Sequence, residues 1–149
     1  VVGAANERAE KTGSPAAAME LDDGTIITGK TTNLLGASAA LLLNVVKVLG
    51  NISHDIHLIA PSAIEPIQKL KVNYLGKNPR LHTDEVLIAL SASAATDHNA
   101  QVALEQLPKL KGREVHTSVL LSDVDTKIFK KLGVNLTCEP IYEEKKIYH

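Results

Sequence analysis

The chain has 149 residues, 44% of them hydrophobic, which is enough for one domain with a buried core. A formal net charge of -1 and an aromatic content of 3%, with no tryptophan, disfavour a nucleic-acid partner, because they offer neither a basic surface nor base-stacking platforms. The single cysteine, Cys138, excludes a disulfide framework and a cysteine-built zinc site within one chain.

Residues 1–15 are predicted to be a linker or the tail of a preceding helix. The chain starts with Val1 instead of methionine, and its first residues read VVGAANERAEKTGSP. We infer that the chain is a C-terminal fragment of a longer protein and that residues 16–149 form a single α/β domain. The amino end lacks a signal-peptide pattern, and the longest apolar run, residues 34–48, is interrupted by polar residues. We therefore expect a cytoplasmic protein without a membrane partner.

A β-hairpin and a buried helix are predicted next. Asp23-Gly24 separates two β-permissive runs, and this dipeptide supplies the positive φ angles of a tight hairpin turn. Residues 33–49 are apolar on nearly every helical face and are followed by Gly50 as a C-cap. We expect this helix to lie between a sheet and a second layer, which is either a partner subunit or the missing part of the chain.

A third strand and a capped helix are predicted around a proline turn. Residues 56–60 are short and continuously apolar, as central parallel strands are. Ser62 then begins a helix that runs to about residue 75, and Ser62 with Glu65 matches a capping box. The alternative is that the free N–H groups of this helix hold an anion, although Glu65 would repel one.

The last part of the chain predicts two helices followed by a βαβ unit. The first helix starts at Thr83, and Asp97 can cap the second. The strand REVHTSVLL, a helix that is capped by Ser122 and ends at Gly133, and the strand VNLTCEP follow. Such a unit places its two strands parallel through a right-handed crossover.

Together these elements predict an α/β three-layer sandwich. Its mixed sheet has five strands: an antiparallel hairpin plus parallel βαβ strands. The order of elements resembles the cytidine-deaminase-like fold, in which a His/Cys-x-Glu element and a Pro-Cys-x-x-Cys element hold zinc. Here the corresponding turn reads Pro61-Ser62-Ala63-Ile64-Glu65, and the first helix has no histidine, cysteine or glutamate. We therefore predict this topology without zinc ligands, with no catalytic residue, metal or cofactor assigned.

A ligand pocket is predicted at the carboxyl ends of the strands, because pockets gather a few convergent polar groups. Its candidate residues are Ser62, Thr96, Asp97 and Asn99. Helix capping and local side chain-to-backbone bonds are the alternative explanation for most of them. None of the six histidines has the i, i+4 spacing of a helical zinc site, so structural or surface roles are favoured over metal binding or proton transfer.

Several segments together resemble the C-terminal domain of the bacterial uncharacterised protein family 371, also called domain-of-unknown-function family 1846. These segments are ELDDGTIITGK, LLLNVVKVLGNISHDIHLIAP, EPIQKLK, DEVLIALSASAATDHNAQVALEQLPKLKG and KLGVNLTCEPIY. The resemblance implies a bacterial cytoplasmic protein with a longer chain, whose preceding part contains a glycine-rich, phosphate-loop-like segment. It implies no established activity.

Two functions fit the sequence. The first is a non-catalytic packing and oligomerisation module, which contacts the missing N-terminal part and sister subunits through the apolar helix at residues 33–49. The second is the nucleotide- or small-molecule-binding half of an enzyme active site that the missing N-terminal domain completes. The chain itself carries no complete catalytic constellation.

Overall fold

The computed structural model describes residues 1–141. Its elements, in chain order, are α1 (Val2–Thr12), β1 (Ala16–Glu20), β2 (Ile26–Lys30), α2 (Ala37–Leu49), α3 (Pro61–Asn73), α4 (Thr83–Ala94), α5 (His98–Glu105), a 3₁₀ turn (Leu107–Leu110), β3 (Glu114–Thr117), α6 (Asp123–Leu132) and β4 (Asn135–Cys138). In this part of the chain, no helix has the length and apolar character of a membrane span.

The four strands form one mixed sheet in the order β2-β1-β3-β4. Strand β1 is antiparallel to both of its neighbours, and β3 and β4 are parallel. The predicted hairpin and βαβ unit are therefore confirmed. The hairpin turn is longer than a two-residue loop, since the Leu21 N–H donates to the Thr25 carbonyl, and Gly24 alone takes a positive φ there, at 85°. This geometry is typical of a type I turn followed by a left-handed glycine.

The predicted strand at residues 56–60 is wrong, so the described residues form four strands instead of five. This segment is irregular, and its side chains Leu58 and Ile59 are buried in a cluster formed mainly by helices. A continuous apolar run indicates burial, but it does not distinguish a strand from a buried connection.

Helix α2 is the central helix of the fold, as its apolar pattern predicted. One side packs on the sheet, and the backbone of α2 at Leu41 lies so close to β2 that only glycine fits at position 29. The other side contacts α4 and α5 and joins a second apolar cluster through Ala39 and Val46. The second layer that covers α2 therefore comes from this chain's own helices.

The opposite face of the sheet is covered by α1. Side chains alternate along β1, so Ala17 and Met19 face α2, whereas Ala16 and Ala18 face the other way. Helix α1 contacts β1, β2 and β3, and its Ala5 is fully buried. Residues 2–12 thus form a helix that packs on the domain, and the predicted domain boundary at residue 16 stays a prediction.

The helix caps show where local sequence signals were sufficient. Asp97 caps α5 and Ser122 caps α6, as predicted, because each side chain accepts a hydrogen bond from a first-turn N–H. The capping box at Ser62 is wrong. Helix α3 begins one residue earlier, at Pro61, with Ala60 at the N-cap, and Glu65 forms an exposed pair with Lys69 instead.

Candidate anion-binding cleft

A cleft of about 490 Å³ opens at the end of the two central strands, where β3 ends and β1 begins. The first turns of α2 and α6 and the residue before α4 also line it. Its polar lining residues are Thr31, Ser38, Asn78, Arg80, His82, Thr117, Ser122 and Asp125. An apolar wall is formed by Pro15, Val119, Leu120 and Leu121. The cleft therefore combines helix amino ends, charged side chains and an apolar wall in a volume typical of small-molecule sites.

The segment that precedes α4 is fixed next to the amino end of α2 by backbone hydrogen bonds. The Leu81 N–H donates to the Leu34 carbonyl at 2.9 Å, and the Gly36 N–H donates to the Leu81 carbonyl at 3.1 Å. In addition, Arg80 Nε donates to the Thr32 carbonyl at 2.9 Å. These bonds bring Arg80 and His82 to the same cleft as the start of α2.

The amino end of α2 is buried and has no side-chain cap. Gly36 occupies the N-cap position, and Ala37, Ser38 and Ala39, which follow it, are 1–8% exposed. The first N–H groups of a helix have no intrahelical acceptor and carry a partial positive charge. An uncapped helix end inside a cleft therefore attracts a negatively charged group.

The hydroxyl of Ser38 has no hydrogen-bond partner within residues 1–141, although the residue is only 2% exposed. A buried polar atom without a partner costs roughly 1–3 kcal/mol. Gln106 Oε1 shares this state in the described chain, whereas His116 Nε2, which forms no hydrogen bond there, lies 2.7 Å from a Glu139 carboxylate oxygen. Of these three residues, only Ser38 lines the cleft.

Asp125, on α6, caps α4 from outside that helix. Its Oδ1 accepts from the Thr83 backbone N–H at 2.9 Å and from the Thr83 hydroxyl at 2.6 Å. Burial by itself would raise the pKa of Asp125, but the interactions with His82 and Thr83 outweigh it and hold the pKa below its usual value. The carboxylate therefore stays ionised, and Thr83 and His82 offset much of its charge.

His82 faces the same carboxylate. Its Nδ1 lies 3.5 Å from Asp125 Oδ2, and the ring is 40% exposed. Asp125 raises the pKa of His82 above its usual value, although partial burial and Lys71 act in the opposite direction. His82 thus has an increased tendency to carry a positive charge at the cleft.

A buried ion pair stabilises the backbone of residues 80–82. Lys71, on α3, is 1% exposed, and its Nζ donates to Glu85 Oε1 at 2.6 Å and to the Arg80 carbonyl. The same Glu85 oxygen accepts from the His82 backbone N–H at 2.8 Å. Lys71 and Glu85 therefore fix the backbone on both sides of Leu81.

The four residues predicted to share a pocket lie elsewhere, since none of them lines this cleft. Ser62 is exposed on α3, and Thr96 is exposed in the turn before α5. Asp97 and Asn99 are joined by the α5 cap, in which the Asn99 N–H donates to Asp97 Oδ1 at 2.9 Å. That these residues form a ligand pocket stays a prediction.

Three of the residues on which the cleft depends, Ser38, His82 and Asp125, were not among the candidate site residues. Ser38 gave one signal, because it is the only polar residue in the first half of a largely apolar helix. His82 and Asp125 gave little, since an isolated histidine before a helix and an aspartate in a first helical turn are common structural features.

His116 is buried and lies outside the cleft, on the α1 face of the sheet. His116 Nδ1 is 2.6 Å from the Thr137 hydroxyl, and its Nε2 is 2.7 Å from a Glu139 carboxylate oxygen, which is an ion-pair distance. Across residues 1–141, no three His, Cys, Asp or Glu side chains are grouped so that they could hold a metal ion.

Residues 1–148 match the protein family described as "Domain of unknown function DUF1846, C-terminal". The chain belongs to this family. It is 60% identical over 149 residues to the UPF0371 protein cu0538 of Corynebacterium urealyticum, 56% identical to the UPF0371 protein CE2832 of Corynebacterium efficiens and 48% identical to the UPF0371 protein SpyM50764 of Streptococcus pyogenes. Each match covers 99% of this chain and 30% of the relative. The chain thus spans about 30% of the length of these relatives, and the resemblance to a bacterial family is confirmed.

Proposed function

We propose that this domain supplies half of a small-molecule site that holds a phosphate-type anion at the amino end of α2. The observation that carries the proposal is the buried Ser38 hydroxyl, which has no partner in the described chain and lies in the first turn of an uncapped helix that lines a cleft. A bound anion would accept hydrogen bonds from this hydroxyl and from the first-turn N–H groups.

The charges of the cleft support an anion more than a cation. Within residues 1–141, the lining has the cationic side chains Arg80 and His82 and the carboxylate Asp125, and Arg80 already donates to the Thr32 carbonyl. Asp125 already accepts two hydrogen bonds from Thr83, which offset part of its charge within the protein. The helix end adds a partial positive charge to this side of the cleft.

The remaining length of the longer relatives would supply the other half of the site, with the groups that act on the ligand. We infer this division from the lining, in which the described residues offer anion-holding groups but no nucleophile paired with a base. A nucleotide or another phosphorylated small molecule is the corresponding ligand class. The deaminase-like topology stays a prediction and is not needed for this function.

A packing or oligomerisation module is the second candidate. Helix α2 no longer favours it, because the chain's own helices cover that helix. The carboxyl end of α3 does favour it, since four apolar side chains there are at least half exposed: Leu70, Val72, Tyr74 and Leu75. A contact with the rest of the longer protein would cover them. Sedimentation of this chain and of a full-length relative distinguishes that contact from self-association.

The anion proposal is tested by titrating inorganic phosphate into the ¹⁵N-labelled chain and following backbone amide shifts. We expect saturable shifts in the first turn of α2, at residues 37–39, and at His82. Ser38→Ala should weaken binding about tenfold, which corresponds to the loss of one hydrogen bond to a charged group. Ser93→Ala is the matched control, because this half-buried serine lies on α4 and does not line the cleft.

Shifts that do not saturate, or that are spread evenly over the surface, would contradict the proposal. Equal affinities of wild type and Ser38→Ala would show that the anion binds elsewhere. Saturable shifts confined to the cleft, together with the loss in Ser38→Ala but not in Ser93→Ala, would support it.

A further inference from the structure

One ring nitrogen of His82, Nδ1, has a carboxylate as its neighbour. Nδ1 faces Asp125 Oδ2 at 3.5 Å, and His82 lines the cleft with 40% of its side chain exposed. A carboxylate next to Nδ1 favours the form that carries a proton on that nitrogen. Nε2, on the other side of the ring, then either lacks a proton, in the neutral ring, or donates one, in the imidazolium.

The charged groups around this ring come from four parts of the chain. Asp125, on α6, and Glu85, on α4, favour the imidazolium, and Lys71, on α3, opposes it. Arg80 precedes the ring by two positions and lines the same cleft. Lys71 and Glu85 form an ion pair, so their effects on His82 largely cancel. The Asp125 carboxylate is therefore the group that distinguishes the two protonation states.

We propose that His82, in its protonated form, donates a hydrogen bond from Nε2 to an oxygen of a tetrahedral dianion held at the amino end of α2. The inference rests on the proposed function and adds which side chain recognises the charge of the ligand. The cleft selects phosphate monoesters in their dianionic form, and binding takes up one proton at His82.

The physical reason is the charge balance. A tetrahedral dianion brings two negative charges next to Asp125, which is itself ionised and 7% exposed. A neutral His82 would leave these charges in the same cleft as the carboxylate without compensation, whereas the imidazolium adds a positive charge next to Asp125 and donates from Nε2 to the anion. The cleft then gains affinity for the anion as His82 gains its proton.

Sulfate is the suitable probe, because its charge stays constant over the pH range in which His82 titrates, whereas a phosphate monoester itself titrates with a pKa near about 6. Sulfate binding to the chain is measured by calorimetry from about pH 5.5 to about pH 8.5, on both sides of the ordinary histidine pKa. We expect the affinity to decrease by up to about tenfold per pH unit above the pKa of His82. In His82→Gln the affinity should be low and independent of pH.

His98→Gln is the matched control, since His98 is exposed at the start of α5 and does not line the cleft. This variant should reproduce the wild-type pH dependence. A second readout is independent of any variant: in wild type, saturating sulfate should raise the pKa of the His82 imidazole measured by NMR, because proton and anion binding are reciprocal.

Two negative outcomes have different meanings. Sulfate that binds in the cleft with the same affinity at every pH, with an unchanged His82 pKa, would overturn the role of His82 and leave the proposed function intact. A wild-type chain that binds neither sulfate nor phosphate in the cleft at the lowest pH would overturn both.

Discussion

Helix α2 has two buried regions that differ in whether their polar groups have hydrogen-bond partners within residues 1–141. Its body packs on β2 so closely that a Cβ at Gly29 would lie 2.3 Å from the Leu41 nitrogen. Its amino end is equally buried, yet Ser38 keeps a hydroxyl without a partner in the described chain, and no side chain caps the helix. The body is tightly packed, whereas the amino end retains polar groups that no group of residues 1–141 satisfies.

Another buried serine shows that the fold can satisfy such a group. Ser118 is 4% exposed, and its hydroxyl accepts from the Ala16 N–H at 2.9 Å, which joins β1 to the end of β3. Ser38 is equally buried, but its hydroxyl has no such neighbour among residues 1–141. Unsatisfied buried groups in native proteins are concentrated at strained or functional positions, so the contrast supports a ligand at the amino end of α2.

The packed body of α2 gives the largest expected effect. Gly29→Ala should lower the free energy of unfolding by more than about 3 kcal/mol, because the added methyl group meets backbone atoms that cannot rotate away. Gly3→Ala is the control, since a Cβ there has no neighbour within 4 Å, and it should be neutral or stabilise α1 by at most about 1 kcal/mol. Urea denaturation measures both. A loss below about 1 kcal/mol in Gly29→Ala would contradict the tight contact.

The ion pair behind the cleft gives the next largest effect. Lys71→Met should cost about 2–3 kcal/mol, because Glu85 and the Arg80 carbonyl lose a buried donor. It should also weaken phosphate binding, since the segment that carries Arg80 and His82 loses its support. Lys69→Met, two positions away, removes an exposed pair with Glu65 and should change stability by less than about 0.5 kcal/mol. Equal effects of the two variants would show that burial of Lys71 is unimportant.

Substitution of the two buried serines should change stability by smaller amounts, and the two changes should differ in sign. Ser118→Ala should destabilise by about 1–3 kcal/mol, because the Ala16 N–H is left buried without an acceptor. Ser38→Ala should be neutral or stabilise by up to about 1 kcal/mol, because it removes a hydroxyl that has no partner. Thermal unfolding of both variants without added anion makes the comparison. Destabilisation of Ser38→Ala by as much as Ser118→Ala would show that the Ser38 hydroxyl is satisfied in the free protein.

The fold was predictable wherever a local signal and a periodic pattern agreed. The Asp23-Gly24 hairpin, the Asp97 and Ser122 caps and the buried α2 are of this kind. The strand at residues 56–60 was predicted wrongly because an apolar run does not show whether a neighbouring strand is available to pair with it. The capping box at Ser62 was predicted wrongly because Pro61 is itself well suited to the first helical position, so Ser62 lies inside the helix.

The cleft was not predictable in the same way. Thr83 and Asp125 are 42 positions apart, and they meet only because α6 packs against α4. An aspartate that caps another helix leaves no signal at a fixed spacing in the sequence. The unpartnered state of Ser38 depends on which groups do not reach it, and that is a property of the assembled fold alone.

The pair of His82 and Asp125 gives the smallest effect, which appears in the pH dependence of stability. The pKa of His82 is raised above its ordinary 6.5, so its contribution is complete below that value and is lost as the pH rises through the folded-state pKa. The pKa of Asp125 is lowered from 3.8, so its contribution is present above that value and is lost in strong acid. Wild type should therefore exceed His82→Gln in stability most clearly near about pH 5, and the difference should shrink as the pH rises above the ordinary histidine pKa. This difference should stay below about 1 kcal/mol, because the ring is 40% exposed and solvent screens the interaction.

Thermal unfolding from about pH 5 to about pH 8 measures the difference, and the stability of His98→Gln, a variant at an exposed histidine, should follow that of wild type at each pH. A difference that is constant or that grows with pH would mean that Asp125 does not stabilise the charged form of His82.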